Sequence, residues 1–299
     1  TRSEEYLGAE HPNVTRWHEI EQDPDKLARA SNVVFIQCVG SRDEQRPYCS
    51  RICCTTSITQ AIRIKEASPE KNVFILYRDI RTPGAKEKLY TKARQLGVVF
   101  IRYSLENKPV VSPNGEALSV RVFDPILQQD VEISADLINL ATAIEPNQNQ
   151  HLAQLFKLPL NEEHFFMEAH AKLRPVDFAS DGLFCCGLAH YPKPIEESLA
   201  QAAAAAGRAT TILAQSKAQI SPLVSQIDQE KCIGCGLCIE ICPFGAIQSE
   251  EVEPNIHRAA NIPASCKGCG LCASSCPQRA IDMLHFRDRQ IEAAIGAAV

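Results

Sequence analysis

The sequence predicts an α/β domain built on a parallel sheet, followed by a small α+β domain that binds metal. Two observations lead to this prediction. Apolar runs of strand length alternate with helical stretches in the first half of the chain. A cysteine-rich motif then occurs twice near the C-terminus, as an internal repeat. The chain has 299 residues, of which 45% are hydrophobic and 22% charged, so it is long enough for about two globular domains.

Composition excludes several classes of protein. A net charge of −5 argues against a nucleic-acid partner. The longest apolar stretches, such as residues 137–144, are too short to span a bilayer, so no membrane span is expected. No secretory signal opens the chain. Because it begins with Thr1 and not with Met, we expect a fragment or a processed chain.

The 14 cysteines are clustered and not scattered. Eight lie between residues 232 and 276, four between residues 38 and 54, and the last two are Cys185 and Cys186. Tight clusters at short spacing are typical of metal ligands, and a reducing compartment keeps such cysteines as thiols or thiolates. We therefore expect a cytoplasmic protein from an anaerobic organism.

The repeated motif has the spacing C-x2-C-x2-C-x3-C-P, at residues 232–243 and 266–277. This is the pattern of bacterial two-cluster ferredoxins, in which the fourth cysteine binds the other cluster. One [4Fe-4S] cluster is predicted on Cys232, Cys235, Cys238 and Cys276. The other is predicted on Cys266, Cys269, Cys272 and Cys242. The alternative, a pair of zinc sites, does not fit this spacing.

The first half of the chain reads as strand, helix, strand, helix, strand, which implies right-handed parallel crossovers. A hairpin and a returning strand follow. The strands are predicted at 33–37, 73–77, 98–102, 118–123, 129–133 and 136–141, and the helices at 51–66 and 84–96. This order resembles the nucleotide-binding half of thioredoxin-reductase-like flavoproteins.

The phosphate-binding loop of such a domain is absent. A G-x-G-x-x-G sequence normally follows the first strand, whereas residues 38–43 contain only Gly40, and the motif occurs nowhere in the chain. Four cysteines stand at this edge of the sheet instead. We infer a third [4Fe-4S] cluster there, with zinc or a redox disulfide as alternatives. Its predicted ligands are Cys38, Cys49, Cys53 and Cys54.

Residues 181–188 resemble a second recurring flavoprotein segment. We expect a short strand ending at Gly187, then a loop, then a helix over residues 195–214. In the flavoproteins that it resembles, the N-terminus of this helix faces the flavin pyrimidine ring and stabilises negative charge there. Lys193 is a candidate cation for the flavin or, alternatively, an exposed loop lysine. Cys185 and Cys186 are expected to pack as small apolar side chains. The candidate flavin contacts are Gly187, Leu188, Lys193, Pro194 and Ile195.

These segments together resemble the C-terminal part of the A subunit of heterodisulfide reductase, an electron-bifurcating iron-sulfur flavoprotein. The resemblance covers nearly everything from residue 30 onward. It implies that the four middle cysteines bind a cluster and that FAD lies between this region and a preceding half with the glycine-rich loop. The segments that carry it are residues 35–43, 47–54, 76–82, 100–103, 182–187 and the tandem motifs.

The resemblance also implies a function and partners. The chain would pass electrons between FAD and three [4Fe-4S] clusters in the flavin-based electron bifurcation of methanogenesis. Its partners would be the missing FAD-binding half, disulfide-reducing subunits, a hydrogenase or formate dehydrogenase subunit, and ferredoxin. The domain organisation that we expect is an arm or linker at 1–30, a Rossmann-like domain at 31–145, an FAD-domain segment at 146–220 and a ferredoxin domain at 221–299.

Two alternatives differ in class. A flavin-free wiring subunit would carry electrons between partners of another reductase, such as benzoyl-coenzyme A reductase or a sulfur-metabolism complex. The missing glycine loop favours this alternative unless another chain supplies the loop. A catalytic dithiol at Cys53–Cys54 or Cys185–Cys186 would need a strained ring between neighbouring residues, which disfavours it.

Overall fold

The computed structural model describes residues 6–7, 11–115, 117–217 and 221–298. The chain forms two compact units. The first comprises Thr1–His151 and Pro159–Ala206, and the second comprises Leu152–Leu158 and Gly207–Val299. The second unit contains both tandem cysteine motifs, and the first contains the other six cysteines.

Strands and helices alternate along the first unit, as predicted. Among the described residues its strands are β1 (Val14–Arg16), β2 (Asn32–Val39), β3 (Asn72–Tyr77), β4 (Val99–Arg102), β5 (Val110–Asn114), β6 (Ala117–Asp124), β7 (Gln129–Ala135) and β8 (Leu137–Thr142). Its helices are α1 (Pro24–Arg29), α2 (Cys53–Ala67) and α3 (Glu87–Gln95), with a 3-10 turn at Gly84–Lys86. Two further helices, α4 (Gln150–Phe156) and α5 (Ile195–Leu213), cross the unit boundaries in sequence.

A five-stranded parallel sheet forms the centre of this unit. Its strand order is β1-β8-β2-β3-β4. Helix α2 connects β2 to β3, and α3 connects β3 to β4. The α/β class predicted from the sequence is thereby confirmed. Since all strands run parallel, the segments that follow β2 and β3 lie at the same edge of the sheet, where ligands of open α/β sheets bind.

The two faces of β2 belong to two apolar layers. Val33 and Phe35 pack in one cluster with residues of α2 and α3. Val34 and Ile36 pack in the other with the antiparallel β5-β6-β7 sheet. All four are 0% exposed. Burial of each such side chain contributes about 1.5–3 kcal/mol to stability. Packing on both faces therefore fixes β2, at whose carboxyl end Cys38 lies.

The predicted hairpin is present as β6 and β7, and the turn between them is closed by Asp124. Its carboxylate accepts hydrogen bonds from the backbone N–H groups of Ile126 and Leu127, at 2.7 and 3.2 Å. Strand β5 was not predicted, because Pro113 interrupts its apolar pattern. Proline is tolerated here because β5 is an edge strand.

Residues 14–29 are structured, although we expected an arm or linker over the first thirty residues. Strand β1 adds to the sheet beside β8. Asp23 caps α1 by accepting a hydrogen bond from the Lys26 N–H at 3.0 Å. The buried Lys71 ammonium donates to carbonyl groups at the end of α1, including that of Ala30 at 2.6 Å. A three-residue strand is too short to show a pattern in the sequence.

The strand predicted to end at Gly187 is absent. Residues 159–186 contain only isolated bridges, one of which joins Asp177 to Phe184, and Gly187–Ala189 form a 3-10 turn. The helix expected from Ile195 is present as α5 and ends one residue earlier than predicted, at Leu213.

Besides the parts of α4 and α5 that fall in it, the second unit contains two small antiparallel ladders and three helices among its described residues. β9 (Ser225–Ile227) pairs with β12 (Ile281–Met283), and β10 (Ile247–Glu253) pairs with β11 (Ile256–Asn261). The helices are α6 (Leu237–Ile241), α7 (Leu271–Ser275) and α8 (Asp288–Ala298). Helices α6 and α7 occupy equivalent places in the two motif copies, as the internal repeat predicts. In the described part of the chain, no helix has the length and apolarity that a membrane crossing needs.

Candidate metal centres

The first tandem motif surrounds a hollow in the second unit. Three of its thiols line this hollow, together with one cysteine from the second motif. Apolar groups such as Ile281 line the remainder. This donor set suits a cubane, which takes four thiolates and favours a largely apolar surrounding shell. The four lining cysteines are Cys232, Cys235, Cys238 and Cys276, the same set that the crosswise spacing predicted.

Three of the four cysteines predicted for the second cluster interact electrostatically: Cys272, Cys266 and Cys242. Burial raises the pKa of the Cys272 thiol, and charges on Cys266 and Cys242 raise it further, while a Ser225 hydrogen bond lowers it. Cys242, although it follows the first loop, therefore lies near the second. The Ser225 N–H also approaches the Cys266 sulfur, at 3.5 Å.

Backbone N–H groups donate to the sulfur of each fourth cysteine. The Ala246 N–H lies 3.3 Å from the Cys242 Sγ, and the Ala280 N–H lies 3.3 Å from the Cys276 Sγ. Such N–H···S bonds stabilise negative charge on a ligated thiolate and so raise the reduction potential of a cluster. The two copies of the repeat thus share this contact as well as the ligand spacing.

The first glycine of each cysteine motif, Gly234 or Gly268, is required for a steric reason. A Cβ at Gly234 would lie 2.1 Å from the His257 carbonyl oxygen, and one at Gly268 would lie 2.5 Å from the Leu223 carbonyl oxygen. Both glycines also have positive φ, +72° and +68°. The backbone of each cysteine loop is therefore packed directly against a neighbouring backbone.

We predict that Gly234→Ala destabilises the second unit by at least about 2 kcal/mol, because the added Cβ overlaps a backbone oxygen that cannot rotate away. Gly236→Ala is the matched control, since Gly236 has a φ of +79° but no atom within 4 Å of its Cβ position. Denaturant unfolding of the iron-loaded chain, followed through the loss of cluster absorbance, measures both. Equal midpoints for the two variants would contradict the steric argument.

The four middle cysteines lie at the carboxyl edge of the parallel sheet. Cys38 is near the end of β2, where the ladder with β8 changes register, and has a φ of +58°. Cys53 and Cys54 open α2, and Cys49 precedes them in the connecting loop. Burial raises the pKa of the Cys38 thiol, and charges on Cys54 and Cys49 raise it further, so the thiols lie within electrostatic reach of each other.

Positive charge and donors surround this group of thiols. A hydrogen bond from Cys53 and the backbone N–H and charge of Arg81 lower the pKa of the Cys54 thiol to about 7, against the effect of burial. The Arg42 Nη1 lies 4.0 Å from the Cys38 Sγ, and its Nη2 pairs with Asp79 at 2.5 Å. These cations favour thiolate, the form that binds metal.

In the described ranges, no three His, Cys, Asp or Glu side chains converge as ligands of a single metal ion. A cubane makes a different demand, because each of its four irons takes one thiolate at a separate corner. Four buried or half-buried thiols with nearby cations fit that demand. The sequence predicts the cysteines as ligands here but gives no sign of Arg42 or Asp79, whose pairing joins residues far apart in the chain.

The candidate flavin contacts lie in and after the loop that leads to α5. Ile195 is 76% exposed and Leu188 is 46% exposed, so both apolar side chains are open to a ligand or a partner. Pro194 immediately precedes α5, and the N–H of Gly187 donates to the Gln201 side chain at 2.9 Å. The loop is therefore fixed by its own helix.

Lys193 is buried, at 7% exposure, and not a free loop lysine. Its ammonium donates to the carbonyl oxygens of Gly187 at 2.6 Å and Tyr191 at 2.8 Å. Beside it, the His190 Nε2 lies 2.6 Å from a Glu168 carboxylate oxygen. This network could not be found from the sequence, because its members carry no motif.

Cys185 is buried at 4% exposure, and burial raises the pKa of its thiol to about 11. A thiol with so high a pKa is a poor nucleophile. This agrees with the interpretation of Cys185 as a packed apolar side chain and gives no support to a Cys185–Cys186 dithiol.

The fold and the cysteine groups together define an iron-sulfur protein with an α/β domain and a dicluster domain. Residues 225–283 match the family model described as a 4Fe-4S dicluster domain. The chain is 42% identical over 237 residues to a protein of Archaeoglobus profundus named as similar to the A subunit of heterodisulfide reductase, covering 78% of this chain and 33% of that protein. It is 38% identical over 321 positions to the A subunit of the H(2):CoB-CoM heterodisulfide,ferredoxin reductase of Methanothermobacter thermautotrophicus, covering 100% of this chain and 47% of that protein.

The chain is thus homologous to the A subunit of heterodisulfide reductase, which confirms the resemblance noted in the sequence. It spans less than half the length of these relatives. Among solved structures, the thioredoxin reductase of T. acidophilum is similar with a TM-score of 0.43 and 13% identity, over 68% of this chain and 58% of that chain. A similarity this low supports no further conclusion.

Proposed function

We propose that this chain is an electron-transfer part of a heterodisulfide-reductase-like complex, an oxidoreductase that is active only with partner subunits. It passes electrons between FAD and three [4Fe-4S] clusters in flavin-based electron bifurcation. The observation that carries the proposal is that twelve cysteines occur in clusters, from which we propose three sets of four, and that Cys232, Cys235, Cys238 and Cys276 line a single hollow. Two sets lie in the dicluster unit, and the third lies where a dinucleotide would bind an α/β sheet.

The ligand sets proposed are those that the spacing predicted. When bound, each cluster supplies a one-electron carrier. The residues of this chain provide the thiolates, the N–H groups of Ala246 and Ala280 that face sulfur, and the Arg42 charge beside Cys38. The three sets are Cys232, Cys235, Cys238 and Cys276; Cys266, Cys269, Cys272 and Cys242; and Cys38, Cys49, Cys53 and Cys54.

We assign FAD to a site shared with a preceding half that carries the glycine-rich loop. Helix α5 supports this assignment, because its N-terminus is a favourable place for negative charge and the side chains of Ile195 and Leu188 beside it are exposed. The segment after β2 offers no phosphate-binding glycine loop. The relatives named as H(2)-dependent and ferredoxin-dependent reductases support hydrogenase or formate dehydrogenase, disulfide-reducing subunits and ferredoxin as partners. Clustered free thiols suit the reducing cytoplasm.

A flavin-free wiring subunit is the second candidate function, and the missing G-x-G-x-x-G favours it. The two functions differ in electron capacity. A chain with three clusters alone takes up about three electrons, whereas addition of a flavin raises the capacity to about five, since FAD accepts two.

Anaerobic mixing of the iron-loaded chain with reduced ferredoxin tests both functions. We expect about three electrons per chain in the isolated protein and about five after the flavin-bearing half is added. Visible absorbance and spin quantitation measure the uptake. The same chain without iron is the control. No uptake by the loaded chain would contradict electron transfer, and a capacity of three that does not rise would favour the flavin-free alternative.

A further inference from the structure

Two segments far apart in sequence meet in the first unit. One is the cysteine segment, residues 47–55, which leads into α2. The other is the start of α5, residues 191–197. Both segments line the same pocket, together with residues 80–87. The cysteine segment and the start of α5 therefore border the same pocket.

Arg51 makes the most direct of these contacts. Its guanidinium forms a bidentate pair with Glu197, with Nη1–Oε2 at 2.8 Å and Nη2–Oε1 at 2.6 Å. Its Nη1 also donates to the Pro192 carbonyl at 3.4 Å. A planar fork of this kind fixes orientation as well as distance.

The backbone of Arg51 contacts Cys49, one of the proposed cluster ligands. Its N–H donates to the Cys49 Sγ at 3.3 Å, and its φ is +64°, a conformation that side chains rarely adopt. The residue is thus held by a thiol through its backbone and by α5 through its side chain. A displacement of the Cys49 sulfur would therefore affect the first turn of α5 through a single residue, Arg51.

Two weaker ties run alongside. Tyr48, next to Cys49, packs edge-on against Tyr191 at 5.7 Å and against Phe165 at 5.5 Å. Lys86 pairs with Glu196, the neighbour of Glu197 in α5. Of these contacts, only Tyr48–Tyr191 joins the two segments, and none of them involves a sulfur atom, so they cannot by themselves report the state of the thiols.

We propose that Arg51 is a positioning residue that couples the middle cysteine set to the first turn of α5. The inference rests on the proposed function, since it assumes that Cys49 binds a cluster. A cluster bound at Cys49 would fix the position of its sulfur. The hydrogen bond from the Arg51 N–H would then restrict the Arg51 backbone, and the pair between its guanidinium and Glu197 would restrict the first turn of α5. Arg51 thereby keeps the helix N-terminus at a fixed place relative to the cluster.

Hydrogen exchange of the α5 amides, measured by mass spectrometry with and without iron-sulfur loading, tests the coupling. The reporter is the Ser198 amide, which donates to the Pro194 carbonyl at 3.0 Å. We expect loading to slow its exchange about threefold to fivefold, the upper part of the range measured for exposed ion pairs. In Arg51→Gln and in Glu197→Gln, loading should change the rate less than about twofold.

Arg63→Gln is the matched control. It breaks the exposed Arg63–Glu21 pair, at 2.9 Å, in the same unit, and it should leave the response to loading intact. Arg51→Gln retains a Cβ at this position of positive φ, so the backbone strain is the same in the variant and in the native chain. Arg51→Lys keeps the charge but not the fork and should restore part of the response.

The outcomes separate the inference from the proposed function. If the native chain binds no iron at Cys38, Cys49, Cys53 and Cys54, the proposed function itself fails. If iron binds there but loading does not slow exchange, the coupling is wrong. If Arg51→Gln speeds exchange equally in loaded and unloaded protein, Arg51 only supports the fold, and the coupling is again wrong.

Discussion

Addition of the flavin-bearing N-terminal half to this chain is expected to strengthen FAD binding at least about a thousandfold. The 299 residues supply the N-terminus of α5 but no glycine loop after β2. The pyrophosphate of FAD is held by several charge-assisted hydrogen bonds, each contributing about 1.5–3 kcal/mol, so two or three of them account for the difference.

Gel filtration followed by flavin fluorescence measures this effect, with the isolated chain and the completed assembly compared at equal concentration. Arg63→Gln in the completed assembly is a suitable control for general damage, since Arg63 pairs with Glu21 and belongs neither to the ligand sets nor to the candidate flavin contacts. Tight retention of FAD by the isolated chain would show that the site is not divided between two halves.

Replacement of Cys242 is expected to remove the cluster of the second loop and not that of the loop it follows. Cys242→Ser should therefore cost about four of about twelve iron atoms. Because Cys242 lies within electrostatic reach of Cys272, we assign it to the set with Cys266, Cys269 and Cys272.

Double variants identify which cluster is lost. Cys242→Ser combined with Cys269→Ser should cost no more iron than either change alone, since both remove one cluster. Cys242→Ser combined with Cys235→Ser should cost about eight iron atoms, since each removes a different cluster. The reverse pattern would show that each loop uses its own fourth cysteine, contrary to the hollow lined by Cys232 and Cys276.

Much of the first unit could be predicted because its signals are local. The apolar runs that become β2, β3 and β4 are fully recognisable, and the helices between them follow from spacing. Strands β1 and β5 could not be predicted in the same way. One has only three residues and the other contains Pro113, so their pairing depends on neighbours that the sequence does not display.

The candidate sites divide along the same line. The cysteine sets are predictions from spacing, and the structure brings Cys276 to the first loop as the repeat predicts. The groups around them were missed. Arg42 and Asp79 are 37 residues apart, and Arg51 and Glu197 are 146 apart, so only tertiary packing brings each pair together. Lys193 differs in the opposite sense, because its place in a loop suggests exposure, whereas its side chain is buried and donates to two backbone carbonyl groups.

Iron and acid-labile sulfide analysis of the anaerobically purified chain tests the central claim most directly. Three cubanes on twelve cysteines require about twelve iron and twelve sulfide per chain. Cys54→Ser should lower both numbers to about eight, and Cys186→Ser should leave them unchanged. A native chain with about eight iron, about eight sulfide and no zinc would contradict a cluster on Cys38, Cys49, Cys53 and Cys54 and would leave only the dicluster domain.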